Sequence, residues 1–240
     1  MSEWQEVKLE NIAEVQTGPF GSHLKNEQYI IGGTPVITVE HITNFTIENI
    51  SYPSVLEEDR LRLNRYSLAE GDIVFSRVGS VDLSAYVKKE NDGWLFSSRM
   101  LRVRPNLDLI NGKFLSYFFR QKNFREHIYS IAVGATMPSI NTEILKNINI
   151  RFPPLPEQQA IASVLSSLDD KIDLLHRQNK TLEAMAETLF RQWFIEEAKD
   201  DCDEKELGEL CEIITKGTTP KQFSDLGINF IKAESIRACP

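Results

Sequence analysis

The residue types that most often perform catalysis are sparse in this 240-residue chain and show no familiar catalytic spacing. Its histidines are His23, His41, His127 and His176, and neither a His-Glu-x-x-His motif nor a Gly-x-Ser-x-Gly nucleophile turn occurs. The sequence also has no glycine-rich phosphate loop, no Asn/Asp-Pro-Pro-Tyr/Phe segment and no nuclease-like acidic cluster followed by Glu-x-Lys. It therefore predicts a non-catalytic chain without a metal site or a cofactor of its own.

The chemistry that the sequence does offer is nucleic-acid binding, in short loops where basic residues stand beside small ones. Guanidinium groups pair with guanine and lysines neutralise phosphates, while small residues let a backbone approach closely. The candidate cations are Arg77, Lys88, Lys89 and Arg99. We expect these four to lie on one face. For each of them taken alone, an ordinary solvated position is the alternative.

Charge is distributed unevenly along the chain. The formal net charge is −8, yet Arg60–Arg125 holds 13 Lys/Arg against 6 Asp/Glu, whereas residues 151–240 hold 11 against 17. The basic stretch contains all four candidate cations. From Glu196 to Glu212, nine acids accompany two bases, which is typical of a solvated linker. We place a boundary there.

Hydrophobic periodicity predicts a mixed α/β (α+β) fold up to about residue 150. Short apolar or alternating runs predict strands at Val36–Val39, Ile73–Phe75, Leu101–Arg104 and Ile148–Phe152. One helix is predicted from about Asn111 to Tyr129. Its core side would carry Phe114, Leu115, Phe118, Phe119 and Ile128, and its water side Arg120, Lys122 and Arg125.

A strict heptad pattern follows Pro153–Pro156. Ten positions succeed one another at spacings of 4, 3, 4, 3, 4, 3, 4, 3 and 4, and they are Ile161, Leu165, Leu168, Ile172, Leu175, Asn179, Leu182, Ala186, Leu189 and Trp193. This period keeps one narrow seam facing a partner helix, so it predicts a coiled coil about 50 Å long. Asn179 either fixes the alignment of the paired helices or is simply tolerated beside solvent.

The sequence shows neither a membrane segment nor a disulfide framework. No stretch is as long and apolar as a spanning helix and the first ten residues are polar, so we expect a cytoplasmic protein. Cys202, Cys211 and Cys239 are odd in number and far apart, which predicts buried free thiols.

The chain also repeats its own beginning. Leu9–Val15 is echoed by Leu207–Ile213, and Gly33–Ile42 is echoed by Gly227–Ile236. Such repeats determine the architecture of a chain. We therefore predict a first domain at 1–152, a long helix at 153–197, and an acidic linker with the incomplete start of a second domain at 198–240.

A family resemblance rests on several segments of the chain. They are Pro153–Ile161 (PPLPEQQAI), the heptad helix running into Leu189–Phe194, Gly134–Asn141 (GATMPSIN), Trp4–Leu9 and Gly71–Gly79. Over essentially its whole length, the sequence resembles the specificity (S) subunit of type I restriction-modification systems. The PPLPEQQ-type segment is the most specific part of that resemblance.

The resemblance implies a target recognition domain that reads one half of a split double-stranded DNA site. It also implies methyltransferase (M) subunits that use S-adenosylmethionine and restriction (R) subunits that use ATP and Mg, so that only the assembled complex cleaves or methylates DNA. By analogy with the family, Lys25 and the loop that includes Thr136 and Ser139 join the candidate DNA contacts.

The sequence departs from the family pattern by stopping at Pro240. We expect a second copy of the chain to cover the heptad seam, which would give a homodimer that reads an interrupted palindrome. The main rival is a coiled-coil adaptor without DNA contact. A weaker rival is a nuclease or methylase in its own right.

Overall fold

The computed structural model describes residues 3–19, 23–48, 50–134, 136–197 and 205–212, and it divides the chain into two compact units, 1–168 and 169–240. Within the described residues, the strands are β1 (Gln5–Lys8), β2 (Ala13–Thr17), β3 (Thr34–Ile37), β4 (Ile42–Thr43), β5 (Thr46–Ile47), β6 (Ser54–Val55), β7 (Ile73–Ser76), β8 (Ser84–Tyr86), β9 (Leu95–Phe96), β10 (Met100–Pro105) and β11 (Asn149–Phe152). The helices are α1 (Glu57–Arg62), α2 (Gly112–Arg120), α3 (Lys122–Ile131), α4 (Thr142–Lys146), α5 (Leu155–Arg191) and α6 (Leu207–Leu210). The chain thus has the predicted mixed α/β domain followed by a long helix.

An antiparallel sheet in the order β2–β10–β7–β8 separates two hydrophobic cores of the first unit. Successive side chains of a strand point to opposite faces of its sheet. Accordingly, Phe75 and Leu101 belong to the core beneath α2 and α3, whereas Val74 and Met100 belong to the core on the other side. Both faces of β7 are buried, which explains why its apolar run is continuous.

Smaller sheets complete the first unit. β3 lies between β6, to which it is antiparallel, and β9, to which it is parallel. β4 and β5 form a hairpin, and β1 pairs antiparallel with β11. The last pairing brings the beginning of the chain beside the strand that leads into α5.

The strand predictions are confirmed, with small shifts of the strand ends. The prediction of one continuous helix from Asn111 to Tyr129 is wrong. The structure has two helices, α2 and α3, separated by Gln121 in an extended conformation (φ −61°, ψ 138°). In one continuous helix, Phe119 and Phe124 would point about 140° apart. The break lets both rings pack on Phe75, at centroid distances of 4.8 and 6.4 Å.

The second unit contains most of α5, a wider π-helical turn at Gln192–Glu196, and the short helix α6. Leu9–Asn11 and the matching Leu207–Leu210 each form a single helical turn. The rest of the repeat lies outside the described residues, so the second domain copy stays a prediction. The thiol of Cys211 is free but exposed, so the expectation of burial is wrong there, and Cys202 and Cys239 also lie outside the described residues.

Candidate nucleic-acid interface

Two of the predicted cations meet at one end of the four-stranded sheet. β7 ends at Ser76, which lies opposite Met100 at the start of β10, so Arg77 and Arg99 extend from the same edge. The Arg77 backbone N–H donates to the Arg99 carbonyl oxygen at 2.8 Å. The antiparallel register of two strands therefore joins residues that are 22 positions apart in sequence.

The loop after β2 reaches the same edge. Arg77 Nη1 donates to Thr17 Oγ1 at 3.5 Å and to the Ser98 carbonyl oxygen at 3.4 Å. Gly18 lies close to the loop between β9 and β10, so that an added Cβ would stand 2.0 Å from the Ser97 carbonyl oxygen. Only glycine can therefore occupy this position without moving the loop that carries Arg99.

The loop after α3 is the fourth segment at this edge, beside the loops after β2, after β7 and before β10. Gly79 N–H donates to the Pro138 carbonyl oxygen at 2.8 Å, and Ile140 N–H donates to the Arg77 carbonyl oxygen at 2.9 Å. The loop closes on itself, because Ser139 exchanges two backbone hydrogen bonds with Val133. Thr136, at the turn of this loop, is exposed.

The remaining predicted cations lie elsewhere, so the expectation of one shared face is wrong for Lys88 and Lys89. Val87 N–H donates to the Asp72 carbonyl oxygen, which places these exposed lysines beside the beginning of β7, whereas Arg77 follows its end. Arg77 is five positions after Asp72 along this extended strand, which corresponds to about 17 Å. Lys25 is exposed in the loop between β2 and β3, where its backbone N–H donates to Gln28 Oε1.

Many of the other cations in the basic stretch are paired within the domain. These pairs include Arg60 with Glu57, Arg62 with Asp59, Arg102 with Glu14, Arg104 with Asp72, Lys122 with Glu126 and Arg125 with Asp82. Burial lowers the pKa of Arg102, and its neighbour Arg104 lowers it further. The hydrogen bonds that Arg104 donates to the Asp72 carboxylate are the main reason why the pKa of Arg104 is raised. The local excess of positive charge is thus largely structural.

One of these pairs fixes the β7–β8 loop, which carries Arg77, to α3. The buried Asp82 accepts from Arg125 Nε at 2.8 Å and from Nη2 at 2.5 Å. Burial raises the pKa of Tyr129, and the hydrogen bond and charge of Asp82 raise it further. Sequence reasoning missed Asp82 as a determinant of the loop, because its partner lies 43 residues away and no local pattern marks the pair.

The heptad seam lies along α5 and its π-helical end. Only Gln158 and Ala162 are buried in this 37-residue helix, whereas Ile161 and Leu165 are partly buried. The other seam positions are exposed, and these are Leu168, Ile172, Leu175, Asn179, Leu182, Ala186, Leu189 and Trp193. Such a stripe is what a partner helix would cover, although no partner is part of the structure.

Neither a metal site nor a membrane span occurs in the part of the chain that the structure describes. No cluster of three or more His, Cys, Asp and Glu side chains there has an arrangement that could hold a metal ion. Among the same residues, no helix is long and apolar enough to cross a bilayer.

Comparison with known proteins identifies the family. Residues 1–184 match the family model of the type I restriction modification DNA specificity domain. The chain is a member of this specificity family. The match covers both the domain that carries the loop edge and most of α5, so the two features described above belong to one family unit.

Relatives in the specificity family are roughly twice as long. The chain is 30% identical to the type I restriction enzyme MjaIX specificity subunit of Methanocaldococcus jannaschii, over 99% of this chain and 54% of that protein. It is 24% identical to the HindI specificity subunit of Haemophilus influenzae, over 94% of this chain and 50% of that protein. The chain therefore spans about half the length of the curated relatives it matches.

Solved structures of specificity subunits share the fold. The S subunit from M. genitalium superposes with a TM-score of 0.59 at 17% identity, over 80% of this chain and 46% of that one. The HsdS subunit from Thermoanaerobacter tengcongensis gives 0.53 at 19% identity, over 85% and 52%. At these identities the likeness establishes the fold and not the residues that act in it.

Proposed function

We propose that this specificity-family chain recognises a DNA sequence for a type I restriction-modification complex. The observation that carries the proposal is the meeting of four loops around Arg77 and Arg99, in a chain whose first 184 residues match a DNA specificity domain. A cationic edge with exposed backbone and hydroxyl groups suits a duplex, because phosphates need cations and base edges need donors and acceptors.

The proposed interface consists of Arg77, Arg99, Thr136 and Ser139. The two guanidinium groups can bind phosphate or the major-groove edge of guanine, and the Thr136 hydroxyl can donate to either. The Ser139 hydroxyl donates to the Val133 carbonyl oxygen at 3.0 Å, so it can accept a hydrogen bond from a base. Lys25, Lys88 and Lys89 would at most add phosphate contacts at the edge of the footprint.

The seam of α5 is proposed to pair with an antiparallel copy of itself. The spacings of the seam form the same series from either end, so each seam position of one copy can face a seam position of the other. The facing pairs are Ile161 with Trp193, Leu165 with Leu189, Leu168 with Ala186, Ile172 with Leu182, and Leu175 with Asn179. The two Asn179 side chains would then be about 6 Å apart along the axis. Each apolar side chain covered contributes roughly 1.5–3 kcal/mol. Such a homodimer would present two identical recognition domains to an interrupted palindrome.

Catalysis is assigned to other subunits of the complex, which would act in the cytoplasm. The M subunits would bind S-adenosylmethionine and the R subunits ATP and Mg, while this chain binds none of them. Support comes from the sequence, which offers no catalytic motif, and from the family match, whose description names DNA specificity alone.

Binding selection tests the proposal. The purified chain, alone and with its M subunits, is incubated with duplexes of random sequence, and the bound fraction is sequenced. We expect enrichment of one motif made of two inverted halves. Binding of M subunits without enrichment of any DNA sequence would instead support an adaptor, and methyl transfer by the isolated chain would support an enzyme.

A further inference from the structure

One buried amide connects α5 to the recognition domain. Gln158, in the second turn of the helix, is fully buried. Its Oε1 accepts from the Asn111 backbone N–H at 2.8 Å, and its Nε2 donates to the carbonyl oxygens of Pro153 at 2.9 Å and Leu109 at 3.3 Å. Both ends of the amide are therefore used.

The partner of this amide is itself held firmly. Asn111 caps α2, because its Oδ1 accepts from the Phe114 backbone N–H at 2.9 Å. α2 in turn buries Phe114, Leu115 and Phe119 in the main core. The hydrogen bonds of Gln158 thus connect the base of the long helix, within the first unit, to a helix that is anchored in the main core.

Apolar contacts also hold the base of the helix. Ala162 is buried and Ile161 packs partly against the same core. Apolar burial depends on area and has little directional preference, whereas hydrogen bonds require defined distances and angles. The three hydrogen bonds of Gln158 can therefore fix the direction of the helix as well as its attachment.

A small change of direction would have a large effect at the far end. From Gln158 to Arg191 the helix extends 33 residues, or about 50 Å. A tilt of about 4° at the base moves the far end by about 3.5 Å, close to the 3.4 Å rise of one base pair. A recognition domain placed by this helix needs that angular precision to select one spacer length.

We propose that Gln158 is a positioning residue that sets the distance between the two half-sites. The inference depends on the proposed function, since it needs a helix-paired assembly that reads two half-sites. Gln158 touches no DNA in this arrangement, so its loss should relax spacer selection and leave the preferred bases of each half-site unchanged.

The test uses Gln158→Met, which keeps the length of the side chain but not its amide. Gln159→Met is the matched control, because Gln159 is the exposed neighbour of the same type. The full chain and both variants, assembled with M subunits, are selected on duplexes that carry the two half-sites with spacers of graded length. Gln158→Asn, which shortens the side chain by one methylene, replaces Gln158→Met if circular dichroism shows that the latter is unfolded.

We expect wild type and Gln159→Met to prefer one spacer length. The Gln158 variant should also accept neighbouring lengths, with the preference for the best spacer over its neighbours lowered at least about fivefold. Loss of one hydrogen bond can produce an effect of this size. Half-site base preferences should not change. An equally sharp spacer preference in the Gln158 variant overturns the inference while the proposed function stands. Failure of the wild type to enrich any motif overturns both.

Discussion

Replacement of the two arginines at the loop edge should weaken DNA binding in a way that depends on salt. The variant is Arg77→Gln with Arg99→Gln, and the matched control is Lys88→Gln with Lys89→Gln. Both change the formal net charge from −8 to −10, so the overall field of the protein changes equally. Any difference between them reports the position of the lost charges.

The expected size follows from the geometry. Each phosphate contact contributes about 0.9 to the slope of log affinity against log salt, so two lost contacts lower the slope by about 1.8. Over a fourfold change, from about 50 to about 200 mM salt, this amounts to roughly a twelvefold difference in relative affinity. Lys88 and Lys89 follow Val87, which pairs with Asp72 at the other end of β7, about 17 Å along the strand from Arg77. Because this separation of the two strand ends exceeds the Debye length of about 10 Å at 0.1 M salt, the lysines should not compensate.

Fluorescence anisotropy with the selected duplex measures both variants across this salt range, within the assembled complex. The arginine variant should lose most of its affinity at low salt, and the lysine variant should change less than about twofold. Equal slopes for wild type and the arginine variant, or a larger loss for the lysine variant, would refute the assignment of the interface. Thermal melting of each variant checks that the fold is retained.

Two further changes test the seam and the loop edge. Leu168→Asp with Leu175→Asp should convert the dimer into monomers, as measured by light scattering, because two charges enter an apolar seam. The control Leu174→Asp lies off the seam and should leave the protein dimeric. A wild-type monomer at micromolar concentration would contradict the pairing. Gly18→Ala should lower the free energy of unfolding by about 1–3 kcal/mol in urea titrations, because its Cβ meets backbone. Gly208→Ala, which has open space, should not lower it.

The fold class was predictable because it depends on local periodicity. The runs at β7, β10 and β11 and the heptad of α5 are visible over a few residues, and the structure has them where the sequence predicts them. The break at Gln121 was not predictable, because it depends on Phe124 reaching Phe75 across the core, and that contact is not local. Similarly, no helical period could indicate that Gln158 is buried.

The candidate site was only partly predictable from the sequence. A count of cations along a stretch of sequence does not show which of them are neutralised by acids that the fold brings beside them. The 13 cations of Arg60–Arg125 suggested a single basic face, yet five arginines of that stretch form ion pairs with acids. Three of these acids, at positions 14, 57 and 59, lie outside the stretch, so a count within it cannot include them.

The position of a cation relative to the strand ends is more informative than its position in a basic stretch. Arg77 follows the end of β7 and Arg99 precedes the start of β10, and antiparallel pairing of these two strands requires that they meet. Lys88 follows β8, which runs antiparallel to β7, so the same rule sends it to the opposite end. The order and direction of these strands alone would therefore have divided the four predicted cations into two pairs, Arg77 with Arg99 at one end of the sheet and Lys88 with Lys89 at the other. The base-reading surface of this domain should accordingly be sought where the loops after β2, β7 and α3 meet the loop before β10.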